Sequence, residues 1–249
     1  NLIGAGVIVE AHLIDQWGAE FRPDFQLIAP LIRSLKAQPD CRFRTLLLSA
    51  TWSQNTRDVI VEQFRADDSE LIEITANFLR PEPEYFVHAE PSETAHQQRV
   101  EQLLMSLPRP IILYCTTREE ADSWYLRLQQ QQYQRVGLFH GDTETLARRK
   151  LISQWANDQL DIMIATSAFG VGMNKSNVRT VIHAAIPENI DRYYQECGRA
   201  GRDGKACQAH LVWHSAQMDT AESLSVEKLS SVEKGFLRWK AMFEQRQLS

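Results

Sequence analysis

Short runs of apolar residues, many of them β-branched, recur along the chain and are separated by segments with helical periodicity. The runs are continuous rather than alternating, which predicts strands that are buried on both faces. They occupy residues 7–9, 45–48, 71–74, 111–114, 136–139, 162–165, 181–183 and 210–213. Apolar residues at helical spacing lie between them, at residues 57–64, 119–128 and 146–155. This alternation predicts an α/β fold with parallel sheets and flanking helices.

The alternation is interrupted at Arg80-Pro81-Glu82-Pro83, where two close prolines favour extended backbone and predict a linker. Residues 1–80 carry about three predicted strands, fewer than the ~5 of a doubly wound sheet, so we expect part of a first domain. Residues 81–215 carry enough strands and crossovers for a complete second domain. Residues 216–249 are predicted to be a helical tail that leads to a further module.

Composition and charge narrow the possible functions. The apolar stretches fall far short of the ~18 residues that span a bilayer, so we predict no membrane partner. With 27 basic and 32 acidic residues, the net charge of −5 requires any nucleic-acid site to be local. The four cysteines form no CxxC pair, which predicts reduced thiols in the cytoplasm. We predict no metal site, because metal-ligand spacing is missing at His140, His183, His210 and His214.

An acidic residue, Glu10, follows the first apolar run. It lies at the carboxyl end of a predicted strand, which is the edge where parallel sheets bind ligands. There Glu10 can polarise a water molecule for attack on a phosphoryl group, and His12 can relay the state of that site. An ordinary surface acid explains Glu10 equally well.

An aromatic segment follows directly. Trp17 and Phe21 are four residues apart, as on the packed face of a helix, but Gly18 and Pro23 favour a loop. Exposed aromatic rings stack on unpaired bases and contribute ~1 to 3 kcal/mol per base. We therefore predict that Trp17 and Phe21 stack on unpaired bases of a nucleic acid and that Arg22 contacts a phosphate, with a helix packed into the core as the alternative.

The segment 189–204 is rich in arginine and glycine. Asn189 is predicted to cap a helix, on which ~100° per residue places Gln195, Arg199 and Arg202 on one face. The opposite, buried side is predicted to carry Ile190 and Tyr193. Two guanidinium groups on one face can bind a γ-phosphate and stabilise the charge that develops as it leaves. A solvated basic face is the alternative.

Two further polar groups follow predicted strands. Ser49 and Thr51 can couple the state of a bound nucleotide to the binding of a nucleic-acid strand, or can cap the next helix. Thr166, Asn174 and Lys175 occupy a loop that contains glycine. Because this loop follows a strand, it lies at the edge of the sheet where ligands bind, which favours a binding role over a plain turn.

Residues 117–120 have the sequence of a capping box, with Thr117 as the N-cap and Glu120 at the third helical position. A helix N-terminus also binds phosphate through its free amide groups. Thr117 and Arg118 are therefore predicted both to cap the helix and to contact a DNA backbone.

Together these segments resemble the motifs of RecQ-family DNA helicases, which belong to helicase superfamily 2. Residues 10–12 are similar to the second helicase motif, and residues 16–25 to the aromatic-rich loop of that family. The similarity extends in order to motifs III, IV, V and VI, at residues 49–51, 114–118, 165–175 and 193–204.

This resemblance implies RecA-like domains, ATP and Mg²⁺ as cofactors, and unwinding of DNA in the three-prime to five-prime direction. It implies catalytic roles for Glu10, His12, Gln195, Arg199 and Arg202, and coupling roles for Ser49 and Thr51. It also implies DNA contacts for Thr166, Asn174 and Lys175. The implied partners are single-stranded and partly duplex DNA. It identifies no protein partner, DNA structure or pathway.

The sequence departs from the family in two places. Val9 stands where the family has an Asp that helps to hold Mg²⁺, through either a substitution or one missing residue. The phosphate-binding pattern Gly-x-x-x-x-Gly-Lys-Ser/Thr does not occur, so we expect it upstream in a longer parent and expect the chain alone to be inactive. The alternatives are an inactive nucleic-acid-binding or scaffolding module derived from a helicase, and an RNA helicase, which the aromatic segment disfavours.

Overall fold

The computed structural model describes residues 5–11, 14, 27–37, 44–50, 54–64, 71–75, 80–170 and 175–225. The chain divides into two compact units, of which the first includes residues 1–76 and the second is residues 77–226.

The first unit contains two parallel strands, β1 (Ala5–Val9) and β2 (Arg44–Leu48), which pair from Ala5↔Arg44 to Val9↔Leu48. Its described helices are α1 (Ile28–Lys36) and α2 (Gln54–Phe64).

Burial in the first unit differs from the prediction. Both strands alternate between exposed and half-buried residues, and Val9 is 66% exposed. The predicted burial of both faces is therefore wrong here. A continuous apolar run shows that the side chains are apolar, but it does not show whether other elements cover both faces of the sheet. Residues 71–75 form neither helix nor strand, so the strand predicted at 71–74 is also wrong. β-branched residues form a strand only where a neighbouring strand pairs with them.

The second unit is built on six parallel strands in the order β3-β8-β7-β4-β6-β5. The strands are β3 (Pro83–Glu90), β4 (Ile111–Tyr114), β5 (Val136–Phe139), β6 (Ile162–Ala165), β7 (Thr180–His183) and β8 (Cys207–His214). The helices are α3 (Glu93–Ser106), α4 (Arg118–Gln130), α5 (Thr145–Ala156), α6 (Ile190–Cys197) and α7 (Met218–Ser225). The strands predicted at 111–114, 136–139, 162–165, 181–183 and 210–213 are confirmed.

The core of this unit lies on both faces of the sheet. Every residue of β4, β6 and β7 is buried, so the predicted burial of both faces is confirmed for these central strands. One face packs Leu104, Trp124 and Leu128 from α3 and α4, while the other packs Trp155 and Phe169. Each fully buried side chain of this size stabilises the fold by roughly 1.5–3 kcal/mol. The sheet is therefore a rigid base for the residues at its carboxyl edge.

In the described ranges, every helix is too short or too polar to cross a bilayer. The cytoplasmic location stays a prediction.

Candidate functional site

The loop 198–204, here called the arginine loop, carries Arg199 and Arg202. It follows α6, which begins as predicted at Asn189, whose side chain accepts a hydrogen bond from the Arg192 N–H at 2.8 Å. The helix ends at Cys197, two residues before Arg199. The prediction that Gln195, Arg199 and Arg202 share one helical face is therefore wrong, because the two arginines lie in the turns beyond the helix.

The predicted orientation of α6 is also wrong at one position. Ile190 is 74% exposed because it is the first residue of the helix and precedes the turns that pack on the sheet. Tyr193 is partly buried and lies against the His183 ring, with the ring centres 4.9 Å apart. Gln195 is partly buried on the same helix.

Gly201 gives the arginine loop its shape. It has a φ of +61°, in the left-handed region that favours glycine. A Cβ there would lie 2.5 Å from Cys207 Sγ and 2.9 Å from the Lys205 carbonyl oxygen. The Gly201 N–H donates to the Val178 carbonyl at 2.9 Å. The chain can therefore turn at this point only without a side chain.

Arg199 lies where three of the predicted motifs meet. Its guanidinium group interacts with the Tyr114 side chain at the end of β4. A Cβ on Gly170, in the loop after β6, would lie 3.0 Å from Arg199 Nη2. Arg199 Nε is buried and has no hydrogen-bond partner in the part of the chain that the structure describes. A buried, unpaired donor on a cation marks a position that an anionic ligand can complete.

Tyr114, the last residue of β4, supports the Arg199 side chain. Its hydroxyl donates a hydrogen bond to the Phe169 carbonyl at 3.2 Å, and its ring stacks on His183 with ring centres 5.2 Å apart. Burial raises the pKa of Tyr114, and the positive charge of Arg199 opposes this rise. The phenol therefore stays neutral and acts as a hydrogen-bonding support.

A buried pair joins β7 to α6. His183 Nε2 lies 2.9 Å from Glu196 Oε2, and the two side chains are 2% and 10% exposed. The pair fixes α6 over the carboxyl ends of the central strands. No sequence pattern singled out Tyr114, Gly170 or Glu196 as site residues, although Tyr114 and His183 end predicted strands and the carboxyl ends of parallel strands lie at one edge of a sheet.

Arg202 is exposed, and its Nε donates to the Gly198 carbonyl at 3.2 Å. Desolvation of its guanidinium group lowers the pKa of Arg202, and the positive charges of Arg199 and Arg80 add to this decrease. Three guanidinium groups therefore lie close enough to repel one another. Such a concentration of positive charge favours the binding of an anion.

The far end of the arginine loop is held by an ion pair. Arg179 Nη2 lies 2.6 Å from both carboxylate oxygens of Asp203, and Arg179 Nη1 donates to the Ala206 carbonyl at 3.1 Å. The hydrogen bonds from Arg179 lower the pKa of Asp203.

The capping box at residues 117–120 is confirmed. Thr117 Oγ1 accepts from the Glu120 N–H at 3.2 Å, and Glu120 Oε2 accepts from the Thr117 N–H at 3.2 Å. Arg118 is exposed and pairs with Asp142. The DNA contacts of Thr117 and Arg118 stay predictions.

Thr166 and Lys175 are both buried. The Thr166 N–H donates to the Phe139 carbonyl at 3.2 Å. Lys175 Nζ donates to the Trp155 carbonyl at 2.8 Å and to Asp158 Oδ1 at 2.5 Å. This geometry gives Lys175 a structural role at the end of α5 and leaves its predicted DNA contact without support.

Glu10 and Ser49 lie at one edge of the first unit's sheet, because each follows the last paired residue of its strand, Val9 or Leu48. Glu10 has a φ of +57°, which is uncommon for a residue other than glycine. The other predicted site residues lie outside the described part of the chain: His12, Trp17, Phe21, Arg22, Thr51 and Asn174.

The described cysteines Cys115, Cys197 and Cys207 are buried, with free thiols. Burial raises the pKa of Cys115 and raises that of Cys197 to about 12. Such thiols are inert at neutral pH.

Comparison with solved structures defines the class of fold. The chain is similar to Dbp5 of S. cerevisiae bound to RNA and ADP BeF3, with a TM-score of 0.67 and 19% identity over 90% of this chain and 58% of that one. It is also similar to a DEAD box protein of Methanococcus jannaschii, with a TM-score of 0.54 and 22% identity over 90% and 58%. The predicted RecA-like fold, with parallel sheets and flanking helices, is confirmed.

Sequence comparison then identifies the family. Residues 95–204 match the helicase conserved C-terminal domain. The chain is 35% identical over 214 residues to the ATP-dependent DNA helicase RecQ of Bacillus subtilis, covering 83% of this chain and 33% of that protein. It is 31% identical over 221 residues to that of Haemophilus influenzae, covering 89% and 34%. The chain belongs to the RecQ family of superfamily 2 helicases, as part of the C-terminal region of the helicase core, and spans about a third of the length of these two relatives.

Proposed function

We propose that the parent protein is an ATP-dependent DNA helicase of the RecQ type, which unwinds DNA in the three-prime to five-prime direction. The observation that supports this most is the cluster of Arg80, Arg199 and Arg202 around the arginine loop. Within this cluster Arg199 reaches Tyr114, the last residue of β4, and parallel α/β sheets bind their ligands at the carboxyl ends of their strands. A triphosphate is the anion that such a cluster suits, because it offers several oxygens at once.

Bound ATP supplies the γ-phosphoryl group whose transfer to water drives movement along DNA. Arg199 binds this group through the donors that Tyr114 leaves free, including the buried Nε. Arg202 contacts the same phosphate from the exposed side of the loop. Together they stabilise the charge that develops during transfer, a role that contributes ~10³-fold or more to turnover in related phosphoryl-transfer sites.

Glu10 orients the attacking water in this proposal. Its strained backbone supports the assignment, since residues in sparsely populated conformations cluster at functional sites. Val9 stands where the resemblance implies an Asp, so the Mg²⁺ predicted with ATP has no complete site among the described residues.

DNA is the proposed polymer because both RecQ relatives are named as DNA helicases. Thr117 and Arg118 contact its backbone at the N-terminus of α4, where free amide groups favour phosphate. Trp17, Phe21, Arg22, Thr166 and Asn174 complete the proposed contacts to single-stranded and partly duplex DNA.

One feature favours a second function. Val9 removes a carboxylate that the resemblance places on Mg²⁺, which is compatible with an inactive nucleic-acid-binding or scaffolding module. DNA-stimulated hydrolysis of ATP by the full-length protein separates the two functions, because only a helicase shows it.

The test replaces each arginine in the full-length protein. Arg199→Ala and Arg202→Ala are each expected to lower kcat by ~10³-fold or more, with the melting temperature nearly unchanged. Lys205→Ala is the matched control, because Lys205 is an exposed cation just beyond the loop. If turnover is close to normal in both arginine variants, the two residues form only a solvated basic face and do not bind the phosphate.

A further inference from the structure

Arg80 lies in the predicted linker, yet its side chain is bound to the arginine loop. Its Nη1 donates to the carbonyls of Gly198 at 2.9 Å and Ala200 at 3.2 Å. Its Nη2 donates to the Gly201 carbonyl at 2.9 Å. Its Nε donates to Glu82 at 3.2 Å, which holds the guanidinium plane in place. One planar group therefore gathers three carbonyls that are 118 to 121 residues away in sequence.

We propose that Arg80 is a positioning residue for Arg199 and Arg202, an inference that rests on the proposed function. The carbonyls at the end of a helix have no partner within the helix. Arg80 supplies donors to three such carbonyls, and so holds the peptide plane that precedes Arg199 through Gly198 and the plane that precedes Arg202 through Gly201. These planes help to set the direction in which the two arginines leave the backbone.

Arg80 also acts on Arg202 through a shared acceptor. The Gly198 carbonyl accepts from Arg80 Nη1 at 2.9 Å and from Arg202 Nε at 3.2 Å. Loss of Arg80 would loosen this carbonyl, which is one of the supports of Arg202. Arg80 therefore governs both proposed phosphate-binding side chains without having to touch the phosphate.

The rest of the loop is held independently of Arg80. The Gly201 N–H donates to the Val178 carbonyl at 2.9 Å, and Asp203 pairs with Arg179 at 2.6 Å. Removing the Arg80 side chain therefore loosens the carbonyls that it binds, while the amides of residues 198–200 stay bonded to carbonyls of α6 and the far end of the loop stays in place. The expected defect is local misplacement and not unfolding of the unit.

The experiment measures DNA-stimulated ATP hydrolysis by the full-length protein. Arg80→Ala is expected to lower kcat by ~10- to 100-fold and to change the KM for ATP less, because transition-state contacts depend most on position. Arg80→Lys is expected to recover part of kcat, since an ammonium group can serve some of the carbonyls but lacks the planar fork. The matched control is Arg99→Ala, which breaks a 2.8 Å ion pair with Glu90 elsewhere in the same unit.

A second arm asks whether Arg80 acts through the loop. In an Arg202→Ala background, Arg80→Ala is expected to lower kcat by a smaller factor than in the normal protein, because part of what it positions is already missing. A merely structural role would lower the melting temperature equally in both backgrounds and would leave the factor in kcat unchanged.

Three results would overturn the inference. The first is a normal kcat in a folded Arg80→Ala protein. The second is a loss of kcat that is explained by the decrease in melting temperature to the same extent in the Arg80 and Arg99 variants. The third is that Arg80→Ala lowers kcat by the same factor with and without Arg202→Ala. If Arg80→Ala does not fold, a normal kcat in Arg80→Gln, which keeps an uncharged donor, overturns it as well. Failure of the proposed function is a separate outcome, in which Arg199→Ala and Arg202→Ala themselves leave kcat normal.

Discussion

Replacing Lys175 with Met separates a structural role from the DNA contact that the sequence predicted. The Lys175 side chain is 4% exposed. Its ammonium group lies 5.1 Å from the centre of the Trp155 ring, in addition to its hydrogen bonds to the Trp155 carbonyl and Asp158. Met keeps the length and most of the volume of Lys, so the substitution removes the charge and its hydrogen bonds without opening a large cavity.

The magnitude follows from what each partner loses. The Trp155 carbonyl keeps a hydrogen bond from the Asp158 N–H at 3.3 Å but loses its charged donor, which costs ~1.5 kcal/mol. The lost cation–π contact adds ~0.5–2 kcal/mol, depending on how dry the site is. Asp158 is 61% exposed and is rehydrated, so its pair with Lys175 contributes ~1 kcal/mol or less. The expected loss is about 3 kcal/mol, or a decrease of roughly 10 °C in melting temperature for a unit of this size.

The assay is thermal unfolding of the 249-residue chain, followed by circular dichroism and tryptophan fluorescence. Asp158→Asn is the matched control, because it removes the exposed partner of the pair and is expected to cost under ~1 kcal/mol. The reasoning is refuted if Lys175→Met melts at the normal temperature. If the same protein also binds DNA more weakly, with a salt dependence reduced by about one phosphate contact, Lys175 is a DNA ligand.

Two further predictions concern the same unit. Gly170→Ala places a methyl group 3.0 Å from Arg199 Nη2 and is expected to lower kcat of the full-length protein with little change in melting temperature. The control is Gly141→Ala, whose Cβ has no neighbour closer than 4.0 Å, and equal kcat in both proteins would contradict the proposed place of Arg199. Burial, aided by His88, lowers the pKa of His210 to about 4, so the folded unit binds this proton less readily than the unfolded chain. The free energy of unfolding should therefore be highest above pH ~6.5 and should fall by up to about 3 kcal/mol as the pH decreases toward 4. Denaturant unfolding at pH 7 and pH 5 measures this, and an unchanged pH dependence in His210→Gln would count against it.

Features that depend on neighbouring residues could be predicted from the sequence. The central strands were found because burial on both faces demands a continuous apolar run, as at residues 111–114 and 162–165. The N-caps at Thr117 and Asn189 were found because a capping residue acts on amides two or three positions ahead.

Features that depend on distant residues could not be predicted. β3 was not predicted as a strand, because Pro83 begins it at the end of the predicted linker and polar residues interrupt its apolar pattern, yet an edge strand tolerates both. The end of α6 at Cys197 is fixed by Gly201 and by the contacts of the arginine loop. The contacts of Arg80 span more than a hundred residues and leave no local trace in the sequence.

The pairing of β3 with β8 has a mechanical consequence for the second unit. These are its first and last strands, and they lie side by side and parallel through eight residue pairs, from Pro83↔Cys207 to Glu90↔His214. The chain therefore enters at one end of this ribbon and leaves at the other. A force that pulls the two ends apart acts along the strands and shears β3 against β8. It therefore loads all the hydrogen bonds between the two strands at once, instead of opening them one after another. A sheet edge loaded in this way yields only when many hydrogen bonds break at once, which suits a unit whose two ends are drawn apart along its strands.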